Sequence, residues 1–278
     1  MFNIKRITMR SVLYIVLIIH TATIAFPLYL MIISSFKDNK NIFSNPYKFS
    51  FENIFVNYRE IFTGSKFYLY FANSLVVTLS SIILILILSS LAAFILAKYR
   101  FPLNKFIYLY FLIGIMIPIR LGTINIAQIF KELNLLNNLL ALIIIYTAYG
   151  IPFGIFILTD FIRMIPEELS NAARIDGCSD YGIFLRIIIP LLKPALSTVA
   201  IITLLPIWND FWFPLILIKA ENLKTIPLAA SSLFGQYETK WGLVFAVLTI
   251  ASVPLIIIYL ILSKQFMKGL SEGAFKGD

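Results

Sequence analysis

Few residues in this sequence could do chemistry, and they are scattered. Asp210 stands in an otherwise apolar run, where an intramembrane carboxylate is costly and usually functional. A second reading places Trp208–Asp210 at the outer membrane interface, where tryptophan belts form, and the late position of Asp210 in its run favours this. His20 is the only histidine, which argues against a histidine metal site; a hydrogen-bonded packing role suits it better than a proton relay. Cys178 is the only cysteine, so an internal disulfide and a cysteine zinc cluster are excluded, and the thiol reads as incidental. Asp160, near the end of another apolar run, is expected to pair with Arg163 or another basic residue there. The phosphate-binding pattern G-x-x-x-x-G-K-[ST] is missing, so the chain is not expected to hydrolyse nucleotide. A non-enzyme with no metal and no cofactor of its own is predicted.

The elements that must position these residues are membrane helices. The 278 residues are 60% hydrophobic and 13% charged, with mean hydropathy +0.89. Soluble domains average roughly 45–50% apolar and about 25% charged, so the solvent implied here is a bilayer. A net charge of +9 would point to nucleic acid in a soluble protein. Here the basic residues fall mostly between apolar runs and fit a lipid surface, with no nucleic acid partner. A crossing helix needs roughly 20 apolar residues. Six runs qualify: Val12–Ser34, Leu69–Ala97, Phe106–Asn125, Leu139–Ile162, Pro194–Ile218 and Leu243–Leu262. The first follows Lys5, Arg6 and Arg10 and is longer than the roughly 7–15 apolar residues of a signal peptide, so it reads as a retained helix. Pro27, Pro118, Pro152, Pro206 and Pro254 fall inside runs and are candidate kinks. The polar stretch 36–67 turns at Asn45-Pro46. More than half of the 23 basic residues lie on the side that holds both termini, which favours cytoplasmic termini.

Between the fourth and fifth runs, Ile165–Pro194 reads as two short helices. Pro166 suits a first helical position, Glu167 and Glu168 complement the helix dipole, and Arg174 lies near the other end. Leu169, Ala172 and Ala173 form an apolar stripe, and Gly177 is a terminator of the kind that takes positive φ. A second amphipathic segment runs through Tyr181, Phe184, Leu185 and Ile188 and ends at Pro190. Helices this short are marginal alone, so the loop needs a surface to pack on. Two such surfaces fit equally: a groove on a partner protein, or the lipid headgroups.

This loop resembles the E-A-A-x-x-x-G signature, with I-x-L-P following nine residues later, of binding-protein-dependent ABC importer permeases. The match is Asn171-Ala172-Ala173, Gly177 and Ile187-Ile188-Ile189-Pro190, with Asn171 in place of Glu and Ile189 in place of Leu. Asn171 lacks the carboxylate but can still cap or hydrogen-bond, and Glu167 and Glu168 lie one or two turns away. Further matches are similar to the six-helix partner subunit of the maltose-type carbohydrate branch. They are Ser34-Ser35-Phe36-Lys37, Phe71-Ala72-Asn73-Ser74-Leu75, Trp208-Asn209-Asp210-Phe211 with Pro214-Leu215, and the tail Gly269–Gly277. The resemblance covers nearly the whole chain.

It implies an all-α integral membrane protein of six transmembrane helices with the type-1 ABC importer permease fold, in a bacterial plasma membrane. Residues 1–68 would hold the first helix and an extracellular loop, 69–264 a five-helix core with the coupling loop 165–190, and 265–278 a cytoplasmic tail. The implied partners are a homologous permease subunit, two ATPase subunits that bind the ATP, and an extracellular solute-binding protein. Glu167, Glu168, Asn171, Ala172, Ala173, Asp176 and Gly177 would contact the ATPase. Gly269, Leu270, Gly273, Ala274, Lys276 and Gly277 would reach between the ATPase subunits, the tail glycines allowing close approach and unusual φ. The tail and the Ser-Phe-Lys segment argue for a sugar cargo; the residues that contact it are not identified. A permease for another solute is the alternative. A secondary transporter fits less well, since the runs offer few charges that could pair and no inverted repeat.

Overall fold

The computed structural model describes the backbone of residues 2–49, 55–64, 66–234 and 239–274, and the side chains of those between 10 and 265. Among the described residues the regular structure is helical apart from an isolated bridge between Phe234 and Thr239. Four helices are long and apolar enough to span a bilayer: α1 (Phe2–Ser34), α4 (Phe67–Lys98), α7 (Leu139–Arg163) and α14 (Trp241–Ala274). The other two spans are bent pairs. One joins α5 (Asn104–Met116) to a 3-10 turn and α6 (Thr123–Glu132) at 83°. The other joins the segment Asp180–Leu191 to α11 (Lys193–Trp208) at 72°.

The third span was expected straight over Phe106–Asn125. It breaks at Ile117-Pro118 because proline forces the preceding residue out of the α region, and both residues take extended backbone. The fifth was expected unbroken over Pro194–Ile218. It stops at Trp208, and the chain restarts as the short helix α12 (Trp212–Leu217). Of the five candidate kink prolines, Pro27, Pro152, Pro206 and Pro254 lie inside continuous helices, and Pro118 marks a break.

The helices divide into two compact units, Met1–Tyr68 with Ala229–Val253, and Leu69–Leu228 with Pro254–Asp278. In the first, the polar stretch folds as α2 (Asn39–Ser44) and α3 (Val56–Gly64), with the expected turn at Asn45-Pro46. Lys37 is wholly buried beneath that turn and donates to the carbonyls of Asn45 (3.0 Å) and Pro46 (2.9 Å). Asn57 donates to the carbonyls of Ser35 and Lys37, both at 2.9 Å. Burial lowers the ammonium pKa of Lys37 from its ordinary value. Residues 11–28 of α1 are exposed throughout, as a helix solvated by lipid tails can be, and His20 is exposed among them.

The second unit holds the core, in which α4, α7 and α11 pack Val77, Ile85, Ala93, Leu142, Ile145, Leu158, Val199 and Leu204 together. Small residues let these helices approach. A Cβ on Gly154 would lie 2.5 Å from Ser89 Oγ, and one on Gly150 would overlap the side chain of Ile85. Gly150 and Gly154 form the small-x-x-x-small spacing of close membrane helix packing. On the neighbouring face, Gly114 of α5 admits Pro152 of α7.

Candidate functional site

Two features of the second unit draw together the residues singled out by the sequence. The first is the loop after α7. Helix α8 (Glu167–Ile175) begins one residue later than expected, with Pro166 as its N-cap, and carries Glu167 and Glu168 in its first turn. It ends in a Schellman motif: Cys178 N–H donates to Ala173 O at 2.9 Å and Gly177 N–H to Arg174 O at 3.0 Å. Gly177 takes φ +79°, the left-handed conformation expected of a terminator. The apolar stripe divides. Ala173 packs on the core with buried Ser170, while Leu169 and Ala172 face outward with Ile175, which is 87% exposed. Asn171, Asp176 and Gly177 are exposed as well.

The loop is tied to the end of α4. Lys98 Nζ donates to Ile165 O at 2.8 Å, and the Phe94 ring lies 5.3 Å from that of Phe184. Arg174 donates from Nε and Nη2 to Asp180 Oδ1 at 3.3 and 3.1 Å, and from Nη1 to Asn171 Oδ1 at 3.2 Å. The Tyr99 hydroxyl bonds Asp180 too, and with Arg174 holds that carboxyl below its ordinary range. The Asp180 bond in turn raises the Arg174 pKa, and burial pushes the Tyr99 phenol up. Asn171, which stands where the signature has Glu, therefore serves as an internal acceptor.

The second short helix differs from its expected form. Helix α9 (Asp180–Ile183), capped by Ser179, passes into a π turn over Phe184–Ile188 and then α10 (Ile189–Leu191). Its buried face is Ile183, Phe184 and Ile188, and Tyr181 and Leu185 are exposed. Pro190 does not end it; the chain bends at Leu192, because Pro194 cannot donate to the carbonyl of Pro190. At the nearby end of α7, Asp160 pairs with Arg163 at 3.4 Å, as expected, and the Arg163 guanidinium lies over the Tyr108 ring at 4.9 Å.

The second feature is a cavity of about 460 Å3 at the break between α11 and α12. Asp210, which its late position assigned to the interface, has an 8% exposed side chain. Its Oδ2 accepts from Tyr146 Oη at 2.8 Å and Phe213 N–H at 3.0 Å, and its Oδ1 from Trp212 N–H at 3.3 Å. It thus caps the restarting backbone and ties it to α7. Arg120 Nη2 stands 3.8 Å from Asp210 Oδ1, with its guanidinium 6.0 Å from the Trp212 ring centroid. Trp212 Nε1 donates to Thr123 Oγ1 at 3.0 Å. The two broken spans meet at this cavity.

The sequence matches the family of binding-protein-dependent transport system inner membrane components over residues 85–272. The chain belongs to that family. It is a permease subunit of an ABC importer, and so a transport component and not an enzyme. It is 34% identical over 268 residues to the probable ABC transporter permease protein YurM of Bacillus subtilis (strain 168), covering 95% of this chain and 88% of that one. It is 32% identical to the arabinooligosaccharides transport system permease protein AraQ of Halalkalibacterium halodurans, covering 91% of each. To the diacetylchitobiose uptake system permease protein NgcG of Streptomyces coelicolor it is 30% identical, covering 96% and 89%. The fold matches a bacterial ABC transporter involved in the import of the acidic polysaccharide alginate, with TM-score 0.79 and 20% identity over 92% of this chain and 95% of that one. The permease is therefore an all-helical, multi-pass membrane protein with the importer fold.

Within the permease, Glu167, Glu168, Asn171, Ala172, Ala173, Asp176 and Gly177 are gathered in one loop. Of the tail residues, Gly269, Leu270, Gly273 and Ala274 continue α14. Gly269 and Gly273 are helical there, and Lys276 and Gly277 lie outside the described residues. Sequence reasoning missed Arg120 and Tyr146 as partners of Asp210, since nothing local links positions 64 and more residues apart. It also missed Gly150 and Gly154, although their spacing is a readable signal.

Proposed function

We propose that this permease forms half of the translocation pathway of a sugar or oligosaccharide importer in a bacterial plasma membrane. One observation carries the cargo: relatives aligned over about nine-tenths of the chain are named for arabinooligosaccharides, diacetylchitobiose, and melibiose, raffinose and stachyose. Its partners are a homologous permease subunit, two ATPase subunits that hold the ATP, and an extracellular solute-binding protein. A permease structure of similar fold, obtained with an alginate-bound periplasmic protein, supports the last. Both termini are cytoplasmic, so the loop 165–190 faces the ATPases and 1–68 ends outside.

The exposed edge of α8 is the coupling surface. Leu169, Ala172 and Ile175 offer apolar contact, flanked by Glu167, Glu168, Asn171, Asp176 and Gly177, while Ala173 fixes the helix to its own core. The tail through Gly269, Leu270, Gly273, Ala274, Lys276 and Gly277 lies against the ATPase dimer. Closure of that dimer on ATP moves α8, and α11 carries the motion along its roughly 24 Å length to the cavity beside Asp210. Energetically this is differential binding to two states, and about 5.5 kcal/mol moves such an equilibrium from 1:99 to 99:1.

The test is co-expression with neighbouring genes, purification, and uptake of labelled oligosaccharide into proteoliposomes with the binding protein. A four-chain ATPase–permease complex importing a neutral or acidic saccharide is expected. Purification without an ATPase, or ATP-driven uptake of amino acids or peptides in place of saccharides, would overturn the reading.

A further inference from the structure

We propose that the cavity between the two broken spans is a saccharide subsite belonging to this subunit, and that it takes an uncharged sugar ring. The proposal rests on the sugar-importer reading above. The volume, about 460 Å3, falls in the roughly 300–1,000 Å3 range of small-ligand pockets. Its walls combine aromatic faces, Tyr146, Tyr149 and Trp212, with the polar groups of Arg120, Asn209 and Asp210. Aromatic faces suit the C–H surface of a pyranose or furanose ring, and the polar groups suit its hydroxyls.

The division of labour between the two charges decides the ligand class. Asp210 is committed: its side chain is buried, and both oxygens accept bonds from the protein. Arg120 is not. Its side chain is 69% exposed, its distance to Asp210 is 3.8 Å, beyond hydrogen-bond length, and it leans on the Trp212 face. A guanidinium carries five N–H donors in a rigid fork. Those of Arg120 are open to the oxygens of a ring that slides along Trp212. The adjacent Asp210 carboxylate leaves the pair neutral, so a hydroxylated ring gains donors without meeting net charge. A uronate would gain from Arg120 but meet Asp210 at close range. The Trp212–Thr123 bond keeps the indole in place without a ligand.

The test is site occupancy in the full transporter. In a Cys178→Ser background, the thiol of Asn209→Cys is alkylated with and without millimolar oligosaccharide. The neutral probe is whichever of raffinose, arabinotriose or diacetylchitobiose the transporter imports; the acidic probe is trigalacturonate. The neutral probe is expected to slow alkylation at least fivefold, and trigalacturonate less than twofold. Arg120→Gln and Trp212→Leu should each abolish protection while the assembled four-chain complex is still recovered on purification. Asp210→Asn should bring trigalacturonate protection up to that of the neutral probe. Protection that survives both Arg120→Gln and Trp212→Leu, or that is equal for the two probes, overturns the proposal and leaves the importer reading standing. So does imported neutral sugar that gives no protection. A transporter that imports no saccharide of either charge removes both readings.

Discussion

Gly177 and Asp180 each hold the loop after α7 by a single physical feature. Gly177 sits at φ +79°, and no atom lies within 4 Å of an added Cβ. Substitution therefore costs backbone conformation alone within this chain, about 1–2 kcal/mol for an ordinary L residue. Gly177→Asn is expected to be milder than Gly177→Val, since Asn tolerates the left-handed region. Melting of the purified complex measures this cost. If uptake by Gly177→Val falls far beyond it, the excess belongs to a groove in the partner. Asp180 has its carboxyl held low by Tyr99 and Arg174. A depressed carboxyl contributes above the ordinary carboxylate pKa of about 3.9 and loses that contribution as pH falls through the folded value. Amide protection over residues 167–180 should therefore be flat from pH 5 to 8 after correction for intrinsic exchange. Asp180→Asn should raise exchange there by severalfold across the whole range, because Arg174 and Tyr99 lose their shared acceptor.

At the scale of elements, the apposition of α4 and α7 depends on side chains that are missing. Gly154→Leu would drive a branched side chain into Ser89, whose hydroxyl donates to Ile85 O and cannot retreat into solvent. Overpacking of this kind costs on the order of 1–3 kcal/mol. A lower melting temperature and weaker recovery of the assembled complex are expected, with α8 and its exposed residues unaltered. Unchanged melting would mean that α4 and α7 can separate without loss. The broken spans show the opposite device. Pro118 and the Asn209–Phe211 break expose backbone groups that a continuous helix would satisfy. Asp210 supplies acceptors to two of them. Irregular backbone at such a position is tolerated where it lines a cavity, and here it does.

At the scale of the whole molecule, the proposed coupling requires a surface on α8 that another protein can pull. Crosslinking maps it directly. With Cys178→Ser removing the native thiol, Ile175→Cys is expected to capture the ATPase in intact membranes, because that side chain is 87% exposed. Ser170→Cys, at a position only 4% exposed, should not. Capture at both positions, or at neither, would remove α8 as the coupling surface. The purified subunit alone should show no ATP hydrolysis, since its sequence carries no phosphate loop.

The number of spans, the loop after α7 and its terminator were legible because they follow from local quantities. These are apolar run length, the dipole preference of Glu167 and Glu168, and the positive φ that a glycine such as Gly177 takes readily. The sequence by itself also settled the family, through matches spread over most of its length. What only the tertiary structure decided is which residues meet. Asp210 was legible only as a carboxylate late in its apolar run, next to Trp208, with no partner indicated by its neighbours in sequence. It became the clamp of a broken helix because folding brings Tyr146 of α7 against it and Arg120 of the α5–α6 bend to its edge. Similarly, the small residues of α8 divide between core and solvent according to where the core of the second unit lies, which no helical periodicity contains. Side-chain partners separated by dozens of residues are set by the packing of helices, and that packing is a property of the whole chain.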